Sequence, residues 1–177
     1  ARLVDRHRKL FLQARPLRAE TAIVYNPLSY MVGGRQRAAA YGGPQGEVAA
    51  IERDSMLGLY RALMPLNIPV DFLHLQRLRK QDLAAYKLIL LPYPLMMPER
   101  SGAELAEYVR AGGTLVAEAR AGWNNERGYA SQTIPGLGLD RVLGCRETAV
   151  RTLPGGRIRL EWSEDRIPGM RPGDALT

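Results

Sequence analysis

Few residues in this 177-residue chain have types suited to chemistry: one cysteine, Cys145, two histidines, His7 and His74, and the carboxylates Glu118, at a strand end, and Glu126, in the loop beyond it. A nucleophilic cysteine needs a base within hydrogen-bond reach and a strained turn that exposes its sulfur. The most suitable strand-to-helix turn holds Ala119, whereas Cys145 follows Leu143-Gly144 at the end of a short helix. His7 falls in an N-terminal helix and His74 at a strand end, so Cys145 reads as a buried structural residue. Two isolated histidines and one cysteine offer no metal-ligand spacing. Glu118 and Glu126 would serve acid–base work only at a fixed separation, and the sequence pins none. A phosphate loop requires a glycine turn directly after the first strand, and Gly33-Gly34 comes eight residues after it. The expected catalytic, cofactor and metal sets are therefore empty. Recognition is better served, since Trp123-Asn124-Asn125-Glu126 places an aromatic and two amides after one strand, with Tyr93 after another. These five residues are the candidate interface or ligand loop.

The elements that would position them follow from composition and periodicity. With 46% hydrophobic and 24% charged residues, one globular core is expected. No apolar run is long enough for a membrane span, and a single cysteine suggests the cytoplasm. The net charge of +7 is concentrated at the start: residues 1–20 contribute +4 of it. There Leu3, Val4, His7, Leu10, Phe11 and Ala14 recur at helical spacing, giving an amphipathic linker helix over 1–18 that Pro16 ends. Its apolar stripe is expected to dock on a neighbouring domain or subunit. No aromatic-interleaved basic patch points to nucleic acid.

The remainder, 19–177, alternates strand and helix. Thr21–Tyr25, Pro69–Leu75, Lys87–Pro92 and Thr114–Glu118 read as strands, apolar enough to suggest a parallel sheet covered on both faces. A glycine- and arginine-rich loop is expected over 31–46, then a helix to Met64 with Ile51, Met56, Leu57, Tyr60, Leu63 and Met64 on one face, closed by Pro65. Gln81–Tyr86 forms a helical turn. Pro98 and a Ser101-x-x-Glu104 capping box start a helix with Leu105, Tyr108 and Val109 inward, and Gly112-Gly113 stop it. A polar loop over 121–133, a short helix near Leu137–Leu143 and an antiparallel pair around Arg146–Leu153 and Arg157–Trp162 complete the reading. The fold class is α/β, a doubly wound, mostly parallel sheet with helices on both faces, in the flavodoxin-like manner.

Three runs then carry a resemblance: GLYRALMPLNIPVDFL, DLAAYKLILLPYPLMMPERSGAELAEYVRAGGTLVAEARAGWNNERG and IPGLGLDRVLGCRETAV. In this order, over most of residues 54–150, they resemble the trimerisation domain of glycoside hydrolase family 42 β-galactosidases. Arg15–Tyr25 is similar to the passage into that domain from a preceding barrel. The resemblance implies a class I glutamine-amidotransferase-like fold that has lost its Cys-His-Glu machinery and serves assembly. It also implies copies of the chain as partners, in a trimer, together with the parent's catalytic barrel, where the catalytic glutamates reside. No glutamate here inherits their role. The chain departs from the family in the loop at 31–46, and it ends at Thr177 where relatives continue, as an incomplete piece would. Two other readings stay open: an amidotransferase-like hydrolase using Cys145, and a small-ligand-binding domain built on the Trp123 loop.

Overall fold

The structure is a computed structural model that describes residues 2–15, 17–31, 50–149, 160–161 and 175–176. Two compact units divide the chain, Ala1–Glu147 and Thr148–Thr177. The first unit begins with helices α1 (Arg2–Arg6) and α2 (Arg8–Gln13), strand β1 (Thr21–Tyr25) and a helical turn over 27–31. Helix α3 (Ala50–Leu63), strand β2 (Val70–His74), helix α4 (Lys80–Leu83), and strands β3 (Leu88–Leu91) and β4 (Met96–Met97) follow. Helix α5 (Arg100–Arg110), β5 (Thr114–Ala117), β6 (Asn124–Asn125) and α6 (Leu139–Leu143) complete it.

Short runs rich in β-branched and aliphatic residues form the main sheet, in the order β2-β1-β3-β5, with every pair parallel. Thr21 lies opposite both Val70 and Leu88, and Leu88 opposite Thr114. The winding reverses after β2, which puts the switch point between β1 and β3, where doubly wound folds carry their sites. Side chains alternate across a strand. Ala22, Val24, Leu73, Ile89 and Leu91 therefore share one face, packed with Leu78, Leu83, Leu105, Tyr108 and Leu139 from the loops and helices over it. Each fully buried leucine or isoleucine there contributes about 1.5–3 kcal/mol. Ile23 and Leu90 are buried on the opposite face. Helix α3 lies on that side, with the Tyr60 ring 5.8 Å from Phe72 and the Ser55 hydroxyl donating to Glu118.

Cover on both faces holds for the central strands β1 and β3, not for the edges. Asp71 and Phe72 on β2, and Thr114 and Val116 on β5, are exposed, because an edge strand has a neighbour on one side only. The N-terminal helix is two short helices broken at His7, and its apolar residues from Leu3 to Leu12 are all exposed. Met31, expected in the glycine-rich loop, closes the helical turn after β1, while 32–49 lie outside the described residues. Met64 leaves the helical face: it opens a 3-10 turn containing Pro65 and is exposed. In the second unit Leu160–Glu161 (β7) pairs antiparallel with Ala175–Leu176 (β8), while 150–159 and 162 of the expected antiparallel pair lie outside the described residues. Strands of two residues are too short to leave a periodic signal.

Helix α5 starts two residues earlier than a capping box would need. Glu99 occupies the N-cap position, Ser101 is helical, and its buried hydroxyl finds no partner among the described residues. Glu104 turns away, accepting from the Lys80 backbone N–H at 2.8 Å. An unsatisfied buried hydroxyl costs rather than stabilises. Ser101→Ala is therefore expected to leave the melting temperature unchanged or raise it, whereas a true cap would lose about 1 kcal/mol. Thermal melts of the two chains distinguish these outcomes.

Candidate assembly surface

At the carboxyl end of β1, Asn26 accepts from the Ser29 N–H at 3.1 Å and donates through Nδ2 to the Met96 carbonyl at 2.9 Å. The Met96 N–H donates to Ser29 Oγ at 2.9 Å. Asn26 so caps the turn over 27–31 and ties it to β4. Strand β4 in turn pairs with β6, Met96 opposite Asn124. The turn after β1 and the loop after β5 thus belong to one hydrogen-bonded rim.

The loop after β5 is held along its length. Gly122 N–H donates to Pro94 O at 2.8 Å, Ser131 N–H to Trp123 O at 2.7 Å, and Gly136 N–H to Ala121 O at 2.7 Å. The expected polar loop is therefore partly strand, because β6 pairs with β4 and Asn124 bridges to Ala130. Asn124 Nδ2 donates to Gly128 O, and Asn125 Oδ1 accepts from the Arg127 and Tyr129 N–H groups, each at 3.0 Å. Both amides build the loop. Trp123 is half-buried, and the Arg120 guanidinium stacks 4.6 Å from its ring centroid, a cation–π pair. The sequence alone does not single out Arg120, since an arginine three residues before a tryptophan in a loop carries no helical or strand period.

The strained turn falls at Arg120 (φ 65°), with a second at Tyr93 (φ 38°), and not at Ala119. Left-handed backbone at non-glycine residues persists where surroundings enforce it. Glu147 accepts from the Arg120 N–H, and Glu118 accepts from the Tyr93 N–H at 3.0 Å while also holding Ser55. No helix follows this turn: residues 119–122 are turn and the next element is β6. Cys145 is exposed, which corrects the buried reading, and no base is bonded to it among the described residues. His74 meets Tyr25 edge-on and accepts the Gln76 N–H, while His7 sits at the break between α1 and α2.

Among the described residues Glu118 and Glu126 share no partner. Glu126 accepts the Glu99 N–H at 2.7 Å, supplying from outside the cap that helix α5 lacks. Hydrogen bonds from its own backbone N–H and then from that of Glu99 hold its carboxyl below the ordinary value, which unsuits it as a general acid. A depressed folded pKa contributes stability that is full above the unfolded pKa and lost as pH falls through the folded one. Glu126→Gln is expected to flatten the loss of stability as pH falls through and below the ordinary glutamate range. Urea midpoints measured across that range check it, and an unchanged acid limb would show the carboxylate to be idle.

A cleft of about 770 Å³ beyond the same strand ends is lined by Leu28, Arg77, Arg79, Arg100 and Glu126. Its charges are largely committed: Arg77 pairs with Asp82 at 3.1 Å and Arg100 donates to Gln76 O at 3.0 Å. Around the rim, Tyr25, Tyr30, Met31 and Tyr129 are exposed. Aromatic side chains, methionine and arginine are the types enriched where proteins meet.

The family model of the beta-galactosidase trimerisation domain matches residues 19–169. The chain belongs to that family. This trimerisation domain superimposes on a solved beta-galactosidase from Bifidobacterium adolescentis with a TM-score of 0.62 at 25% identity, over 84% of this chain and 65% of that one. A GH42 beta-galactosidase from G. stearothermophilus gives 0.58 at 28% identity, over 82% of this chain and 19% of that one. A third, from Bacillus circulans sp. alkalophilus, shares the fold at 23% identity and a TM-score of 0.62, over 80% of this chain and 19% of that one. No curated protein matches the chain. The trimerisation domain thus spans 65% of the length of the first relative and 19% of the other two. As a trimerisation domain it serves oligomerisation rather than catalysis. Among the described residues no helix is long and apolar enough to cross a membrane.

Proposed function

We propose that this domain assembles three copies of a larger β-galactosidase-type enzyme in the cytoplasm, and that it does so through the carboxyl end of its sheet. The observation that carries this reading is the rim itself, where exposed tyrosines and a preformed Arg120–Trp123 stack surround the strand ends. The five residues Tyr93, Trp123, Asn124, Asn125 and Glu126 divide the work: the two asparagines and Glu126 shape the loop, Tyr93 turns the chain after β3, and Trp123 presents the contact. Residues 19–177 form the assembly domain and 1–18 its linker. The exposed apolar residues of α1 and α2 then dock on the catalytic barrel of the same enzyme. Light scattering on the size-separated chain, over about a hundredfold range of concentration, tests the proposal. A discrete trimer is expected, and a monomer throughout would overturn it.

A further inference from the structure

We propose that the trimer closes head to tail, the Arg120–Trp123–Tyr129 side of one copy's rim seating on the Tyr25–Tyr30–Met31 side of the next. This rests on the trimer reading above. A twofold contact pairs a patch with itself and ends at two copies, whereas a closed ring of three uses one contact between unlike patches, repeated. Each copy must therefore carry two different surfaces, and in a ring of three both face the same central axis. Surfaces on opposite sides of the domain would build a filament instead.

The rim provides two such surfaces side by side. On the β1 side Tyr25, Tyr30 and Met31 are 44%, 50% and 61% exposed. On the β5 side Tyr129 is 70% exposed, next to the loop that carries the Arg120–Trp123 stack. They are joined through β4, which bonds Asn26 and Ser29 on one flank and pairs with Asn124 on the other, so their spacing is fixed within one copy. Their chemistry is complementary: the β5 side adds the cations Arg120 and Arg127, and the β1 side offers the π faces of two tyrosines, to which guanidinium groups bind. Like-with-like packing would instead bring arginine against arginine.

Two single-cysteine chains in a Cys145→Ala background, Met31→Cys and Tyr129→Cys, test the order of contact. Each is first sized, then treated with a short bismaleimide alone and after co-expression with the other. The co-expressed pair is expected to give a one-to-one linked dimer at least about tenfold above either variant alone, as the high effective concentration inside a complex dictates. Tyr30→Cys with Arg127→Cys is the second pair, and it should behave alike. Links within single variants at equal yield, or a trimer that forms no mixed link with either pair, would overturn the head-to-tail order while leaving the trimer standing. A monomeric chain before any substitution would remove the trimer reading itself.

Discussion

Gly136→Ala is expected to destabilise the domain by about 3 kcal/mol and to lower its melting temperature by about 6–12 °C. A Cβ at position 136 would lie 2.0 Å from the Gly122 carbonyl oxygen and 2.2 Å from Ser131 Oγ. Neither neighbour can yield cheaply. The Gly122 carbonyl is backbone, and it also accepts the Ser131 hydroxyl at 2.8 Å. The Gly136 N–H is bonded to Ala121 O, so the two chain segments cannot separate without losing that bond. Gly128→Ala is the control: open space surrounds it, and only its φ of +86° opposes a side chain, at about 1–2 kcal/mol. Calorimetry of both variants decides the matter. Equal melting temperatures for the two would mean that the segments do not touch at Gly136.

In the proposed assembly, Trp123→Ala is expected to dissolve the trimer while leaving the fold intact. Truncating a hot-spot tryptophan at an interface costs about 2 kcal/mol or more per contact. A ring of three repeats that loss three times, so the trimerisation constant should fall by roughly four orders of magnitude. Sedimentation of the variant and the unmutated chain at matched concentrations reads this directly, with thermal melts to show that the monomer is folded. Arg120→Lys should weaken assembly less, because lysine keeps the charge but loses the flat guanidinium that stacks on the ring. A trimer that survives Trp123→Ala with an undiminished constant would place the interface elsewhere.

The sheet was legible because its strands are bounded by strong local signals. Thr21–Tyr25 sits between Glu20 and Asn26-Pro27, and Gly112-Gly113 mark the step from helix to strand through the left-handed Gly112 (φ 98°). What misled were motifs with two physical outcomes. Ser101-x-x-Glu104 has the spacing of a capping box, but Glu126, distant in sequence, bonds the Glu99 N–H at the helix start, and Ser101 lies inside the helix. In Trp123-Asn124-Asn125 the composition does not show that Asn124 Nδ2 and Asn125 Oδ1 bond the loop's own backbone. Tyr25, Tyr30 and Met31 belong to the same rim as Trp123, and nothing local joins them. Their proximity comes from Met96, about seventy positions on from Asn26, as only the folded chain shows.

Glu104, which bonds the Lys80 N–H rather than the start of its own helix, bears on the order in which the domain opens. Helix α4 spans only Lys80–Leu83, far below the length at which an isolated helix persists in water. Its first amide is held by Glu104 of α5, and the Lys80 ammonium meets Glu107 one turn further along. Helix α4 therefore has no lifetime of its own. Deuterium should enter its amides at the rate at which α5 lets go of them, so the two helices, twenty residues apart in sequence, would exchange as a single unit.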